Sequence, residues 1–259
     1  MGHVRLKSIP RSRGWTQVVD LIGGDNDAVR VARAAARAMT KSLDKAISDP
    51  ALIQTTYLLA LIPGAARDRD AYGAIKGLGL DVRQAFDLGD LLAAISMEVD
   101  RDARRRGGRT DLGEMALQSA ASSLGRAIAP DLPGLMGASH ADLVRALAEI
   151  DTPDRFAELA RSYFGDLIRR GLEYFTARAY AQHVRDGGRF ASLSALEQFR
   201  EALALHCSES TLILEQYAKD WFSKSKFVDG LSRESVERFT RTALTKLQRE
   251  LSLRSDTDG

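Results

Sequence analysis

The residues best equipped for chemistry in this 259-residue chain are arginines and lysines, and the most ordered set of them lies between Asp25 and Ile47. At about 100° per residue, Arg30, Arg33, Arg37, Lys41 and Lys45 fall in one sector of a helix, with Ala28, Ala32, Ala35, Met39 and Ala46 opposite. The alanines let such a helix approach a neighbour closely, and the basic row then faces outward beside Arg5, Lys7, Arg11 and Arg13. A row of this kind neutralises nucleic-acid phosphates by releasing their counterions. Arg11, Arg13, Arg30, Arg33, Arg37 and Lys41 are therefore the candidate nucleic-acid-binding residues. An acidic protein or an anionic membrane would satisfy the same charges, and the plainest account of a charge run on a helix is a solvated face.

A second basic group, Arg104-Arg105-Arg106-Gly107-Gly108-Arg109, joins the end of one predicted helix to the start of the next. Glycines let an anion come close to the backbone and helix N-terminal amides attract it, which makes Arg106 and Arg109 candidate anion-binding residues. Against this, Asp111 is expected to occupy that N-terminus as its cap. Glycine pairs after helices, here and at Gly23-Gly24 and Gly187-Gly188, are accounted for by left-handed C-terminal caps. No loop has the G-x-x-x-x-G-K-[ST] spacing, and Gly73, Gly77 and Gly79 neither follow a predicted strand nor form G-x-G-x-x-G.

Nucleophilic and metal chemistry finds little support. His3, His140, His183 and His206 are far apart, with no H-E-x-x-H, no C-x-x-C and no glutamate three residues ahead of a histidine. No metal or other cofactor is expected. His206 lies on an apolar stripe with Leu196, Phe199, Leu203, Ile213 and Tyr217, where Ser210, one turn on, is its expected polar neighbour. Cys207 points about 100° away from it on the same helix, which separates nucleophile from base. Glu98 with Asp102, and Asp68 with Asp70, read as solvated helix ions rather than an acid–base pair. Tyr217, Trp221, Phe222 and Phe227, among Lys219, Lys224 and Lys226, have the composition to stack on bases, but large aromatics at helical spacing ordinarily build a core. No catalytic residue is assigned.

The elements that must position these residues are helices. Apolar residues recur every three or four positions, and no run of β-branched and aromatic residues alternates with period two. The spacing predicts an opening helix around Trp15 to Ile22, then the basic helix, and then an uncharged helix started by Asp49-Pro50 and closed by Pro63-Gly64. A short helix near Ala65 to Ile75 follows, then Phe86 to Arg105, then one begun by Asp111 with Glu114 in a reciprocal cap. That helix fades at Pro130. Ser139 with Asp142 opens a short helix, and Thr152-Pro153 opens a very long one to about Val184. Ser194 with Glu197 introduces a helix to about Ser223, and the last runs from Ser232 to about Leu251.

The fold class expected is all-α, a multi-helix bundle. The stretch APDLPGLMGAS, Ala129 to Ser139, divides it into an N-terminal lobe over residues 1–130 and a C-terminal bundle over residues 139–251 with two long antiparallel helices, leaving 252–259 as a disordered tail. The long helix carries an apolar face wider than a coiled-coil seam, Phe156 through Phe175, so it needs two neighbours or a partner.

Bulk composition narrows the class further. Hydrophobic residues make up 44% and charged residues 28%, the balance of a folded chain rather than a disordered one. Net charge is +2, but residues 1–41 hold +5 of it, so any polyanion would meet that end. One cysteine, no apolar leader and no run of roughly 20 apolar residues point to a reducing cytoplasm, and the arginine- and alanine-rich usage points to a bacterial source. With every recognisable catalytic spacing absent and apolar helix faces abundant, the expected role is a non-catalytic interaction or adaptor protein, a subunit of a larger assembly or a homo-oligomer. The alternatives are a nucleic-acid-binding protein using the basic helix, and an enzyme with its site in a helical cleft. Membrane association through the basic helix is weaker, since its apolar face is alanine-rich.

Overall fold

The computed structural model describes residues 13–24, 30–31, 34–35, 37–38, 47–108, 110–133, 137–183, 190, 192–226 and 230–253. Among them every extended element is helical and none is a β-strand. The all-α multi-helix class therefore holds.

In chain order the helices are α1 (Arg13–Gly23), α2 (Pro50–Ala66), α3 (Ala71–Gly77), α4 (Leu88–Arg105) and α5 (Asp111–Ile128). After a single tight turn over Ala129–Asp131 come α6 (His140–Glu149), α7 (Pro153–His183), α8 (Leu193–Ser210), α9 (Leu212–Lys224) and α10 (Arg233–Leu253). The predicted basic helix falls mostly outside the described residues. Arg30, Val31, Ala34, Ala35, Arg37 and Ala38 within it are helical, with Val31 and Ala35 buried and Arg30 and Arg37 exposed.

Local sequence sets most helix ends. The Asp49 carboxylate accepts from the Leu52 amide at 2.9 Å, with Pro50 at the first helical position of α2. Ser139 and Asp142 form the reciprocal cap of α6, and Ser232 Oγ accepts from the Ser235 amide to start α10. At the end of α4, Gly107 (φ +123°) and Gly108 (φ +99°) take the left-handed conformation that a Cβ disfavours. The Gly108 amide then reaches back to the Ala103 carbonyl at 2.8 Å, closing a C-terminal cap.

Five boundaries differ from the sequence reading, the first being the short helix expected near Ala65 to Ile75, which starts only at Ala71, where Asp70 caps it. Thr110, not Asp111, caps α5: its hydroxyl takes the Gly113 amide, leaving Asp111 in the first turn where its charge meets the helix dipole. Ser192, not Ser194, caps α8. The uncharged helix continues through Pro63 to Ala66: the proline forfeits one intrahelical hydrogen bond, and the burial of Ile62, Pro63 and Ala66 outweighs that loss. The helix expected to run unbroken to Ser223 is interrupted at Thr211, which ends α8 and begins α9.

Two helices organise the packing. α2 is buried on all sides and touches α3, α4, α5, α6 and α10. Its interior polar groups are satisfied within the helix, Thr55 and Thr56 bonding the Ala51 and Leu52 carbonyls. α7, 31 residues long, touches α1, α5, α8 and α9. One contiguous hydrophobic cluster includes Leu52, Leu58 and Leu124 from before residues 129–139 and Phe156, Phe164 and Phe239 from after them.

Buried charge ties distant segments together. Arg233 at the start of α10 bonds Gln54 of α2 and, at 2.7 Å, Asp102 of α4. Asp151, 4% exposed, accepts from Lys226 and Arg67. The Asp49 carboxylate also takes the Thr110 hydroxyl at 2.5 Å.

Candidate functional site

The side chains on one face of α7 repeat as Glu158, Arg161, Ser162, Gly165, Asp166 and Arg169, spacings of three and four that hold them in one stripe. Opposite, Ala204 and Ser208 of α8 and the junction residue Thr211 repeat at four and three. Between the two rows, with Arg126 of α5 completing the wall, lies an open cleft of about 440 Å³. Gly165 makes the close approach possible: a Cβ there would stand 3.3 Å from Thr211 Cγ2, tighter than ordinary contact.

Contacts along α7 descend as those along α8 and α9 ascend. Glu173 pairs with Arg200, Gly165 faces Thr211, Arg161 pairs with Glu215 at 2.8 Å, and Phe156 stacks on Phe222 at 4.3 Å. On its other flank α7 is stitched to α5 by polar bonds. Tyr174 donates to Asp111, Arg170 to Gln118 and Ser122, and Arg126 to Ser162.

Charge within the cleft is unevenly matched. Asp166 is 7% exposed; burial penalises its ionised form, but hydrogen bonds from Arg169 and Arg170, both 2.6 Å, outweigh this and hold its carboxyl below the usual carboxylate range. Arg169 also takes Glu173, and Glu158 stands 4.0 Å from Arg155. Arg126 differs from the other two arginines. Its guanidinium reaches only hydroxyls, Ser162 at 3.0 Å and Ser123 at 3.2 Å, and pairs with no carboxylate among the described residues.

Beside the cleft the surface turns apolar. Leu193, Leu205, Leu212 and Ile213 are exposed, Leu193 by 73% and Leu205 by 61%; of the large hydrophobic residues described, Met97 is the other one so exposed. On α8, Leu205 stands roughly 60° around the helix from the cleft-lining Ser208, so an exposed leucine borders the cleft.

The sequence candidates are dispersed relative to this cleft. Arg11, Arg33, Lys41 and Arg109 lie outside the described residues, as do the side chains of Arg13, Trp15, His183 and His206. Arg30 and Arg37 project from the N-terminal part of the chain. Arg106 closes α4 and bonds Asp102 at 3.3 Å. Cys207 is buried, and burial pushes its thiol up to about 12, with the nearby Arg169 opposing in part.

Other singled-out residues take structural places. His140 Nδ1 lies 2.9 Å from the Phe86 carbonyl, its ring edge-on to the Phe86 ring. Tyr217 and Trp221 stack on Phe239, and Phe222 on Phe156, so these aromatics build the core. Glu98 pairs with Arg101, and Asp70 caps α3. Among the described residues no three His, Cys, Asp or Glu side chains gather as a metal site would require, and no helix is long and apolar enough to cross a membrane.

Sequence reading passed over Arg126, Arg161, Arg169 and Leu205. The signal available was the i, i+3, i+4 recurrence of polar residues on a helix that is apolar on its other faces, which by itself is what any solvated stripe shows. No protein-family model, curated protein or solved structure matches the chain.

Proposed function

We propose that this protein is a non-catalytic interaction module, and that its partner-binding surface is the exposed apolar part of α8 and α9 with the adjoining cleft. The observation that carries this reading is the exposure of Leu205 on α8 and of Leu212 and Ile213 at the start of α9, close together along the chain and flanking Ser208 and Thr211 of the cleft. Scattered exposed aliphatics are normal on a soluble surface, whereas a contiguous group marks a contact site. Each such side chain, once fully covered, contributes about 1.5–3 kcal/mol, enough for a few of them to anchor a complex. The cleft supports the same reading: its one buried carboxylate is spent on two arginines, its other carboxylate, Glu158, stands in water, and burial keeps the neighbouring Cys207 a poor nucleophile.

The test places a photo-crosslinking amino acid at Leu205 and, as control, at Met97. A discrete adduct from Leu205 alone, whether with an identified protein or with a second copy of the chain, supports the reading. No adduct at Leu205, together with a monomeric mass by light scattering, refutes it. Nucleic-acid binding is the second reading, favoured by the outward placement of Arg30 and Arg37 opposite buried Val31 and Ala35. It requires salt-dependent retention of RNA or DNA that weakens when Arg30, Arg33 and Arg37 become Gln.

A further inference from the structure

α8 and α9 meet at Thr211, and the chain holds them very differently. α9 is fixed to the core: Leu214, Ala218 and Phe222 are buried, Phe222 stacks on Phe156, and Arg161 pairs with Glu215. Among the described side chains of α8 the buried ones are Phe199, Leu203, Cys207 and Ser210, spaced four, four and three apart in one stripe, while Leu193 and Leu205 stand in water. Ala204 and Ser208 line the open cleft that separates this part of α8 from α7. The ion pair from α8 to α7 adds little. Arg200 reaches Glu173 at 3.4 Å from an exposed position, and Glu173 already holds Arg169 at 2.9 Å.

The junction itself is a single tight turn. The Thr211 amide bonds the Ser208 carbonyl at 3.2 Å, and the Leu214 amide bonds the Thr211 carbonyl at 2.9 Å. Both bonds span three residues rather than four, and such a turn within helical chain is a recurrent hinge. Thr211, at φ −87° and ψ −6°, lies where the bridge and α-helical regions adjoin. Its ψ can turn by roughly 30–40° toward the helical value without crossing forbidden space. Two contacts hold the bend: Thr211 Oγ1 donates to the Ser208 carbonyl at 2.6 Å, and its methyl group faces Gly165.

We propose that α8 is a hinged flap that swings away from α7 about Thr211 while α9 and the rest of the interior stay folded, opening the cleft and uncovering Phe199, Leu203 and Cys207. Gly165 is the stop against which the closed hinge rests. The swing is built into the chain and needs no partner.

Cys207 is the reporter, being the chain's single cysteine and 1% exposed. The full-length protein is labelled with monobromobimane at pH 8 in a series of low urea concentrations, and global unfolding is followed in the same samples by helical circular dichroism. The native labelling rate is expected to exceed the rate that global unfolding allows by about tenfold or more, and to stay nearly flat with urea until the main transition. Native-state hydrogen exchange should show the amides of residues 193–210 exchanging as a group through this opening, with residues 212–224 keeping the slower global rate. Gly165→Ala crowds the closed hinge and should speed labelling by about fivefold, with the urea midpoint moving little because alanine favours α7. Leu58→Ala, in the buried α2, should lower the urea midpoint and leave the native labelling rate unchanged.

A labelling rate that follows global stability, in the urea series or in Leu58→Ala, overturns the proposal. So does joint exchange of α8 with α9, or a Gly165→Ala variant that labels at the parent rate, since either removes Thr211 as the hinge. If Leu58→Ala does not fold, the urea series of the parent decides alone.

Discussion

Replacing Gly113 by alanine tests how α5, the helix that delivers Arg126, is seated on the core. An alanine Cβ at that position would lie 2.6 Å from the Ala51 Cβ of α2, where carbons rest at about 3.5–4.0 Å. Neither atom is the end of a flexible side chain, so the two helix starts must separate by roughly 1 Å. That separation also stretches the Thr110–Asp49 hydrogen bond, which joins the same two caps. Overpacking of this kind costs about 1–3 kcal/mol, against a gain of up to about 1 kcal/mol for alanine over glycine in a helix. A net loss of about 1–2 kcal/mol follows, a fall of roughly 0.5 M in the urea midpoint monitored by helical circular dichroism.

The decisive comparison is with Ala51→Gly and the double variant. Moving the methyl group from α2 to α5 restores the gap and cancels the propensity change, so the double variant should stand within about 0.5 kcal/mol of the parent although each single change is destabilising. If Gly113→Ala is as stable as the parent, or if the double variant loses the simple sum of the two single losses, the helices are not in the contact described.

Four further outcomes are expected. Arg233→Met should cost about 2–4 kcal/mol in denaturant unfolding, because it takes the closer of two arginines from the buried Asp102, leaving only Arg106 at 3.3 Å, and removes the partner of Gln54; adding Asp102→Asn should recover part of the loss, and a neutral single variant would contradict the tie between α10 and α2. Tyr163→Phe should be neutral or slightly stabilising. Its fully buried hydroxyl forms no hydrogen bond of ordinary geometry, and burial raises its pKa with Thr56 offsetting only part of that; a loss above about 1.5 kcal/mol would reveal a bond after all.

Because the Asp166 pKa is depressed in the folded state, its stabilisation is present above the unfolded value near roughly 3.9 and disappears as pH falls through the folded value. Asp166→Asn should therefore lower stability at neutral pH and flatten the acid limb of the stability curve, and an unchanged acid limb would refute this. The Cys207 thiol should react with a disulfide reagent at pH 8 at least about a hundredfold more slowly in the native protein than in urea, in keeping with its burial; fast native labelling would count against its position.

Much of the helical plan is legible in the residues because helix ends are local. Asp49-Pro50, Ser139 with Asp142, Thr152-Pro153 and the Gly107-Gly108 pair each act within a turn or so of chain, and each does in the structure what its chemistry requires. The misplacements arise where two residues compete or where packing decides. Thr110 and Asp111 are both competent caps, and the choice falls to Thr110, whose hydroxyl also donates to Asp49, 61 positions earlier. Pro63 reads as a stop, yet burial of Ile62 and Ala66 carries the turn onward. The break at Thr211 has no proline or glycine to announce it; it sits where α7 offers Gly165 as a contact, a long-range fact.

The cleft was illegible for the same reason. Arg126, Arg161 and Ser208 come from different helices, and only the meeting of α5, α7 and α8 makes them one surface. What distinguishes Arg126 from Arg161 and Arg169 is that no carboxylate among the described residues pairs with it, and nothing in the linear order of residues encodes that.

The tie between Arg233 and Gln54 spans 179 positions, and it bears on how the chain matures during translation. Residues 50–66 leave the ribosome as an uncharged segment long before the helix that covers one flank of it, whose Arg233 follows Gln54 by 179 positions. Until α10 emerges, one flank of that segment has only water or a chaperone against it. Nascent chains halted before residue 233 should accordingly be sticky and protease-sensitive, and the arrival of α10 acts as the closing latch over residues 50–66.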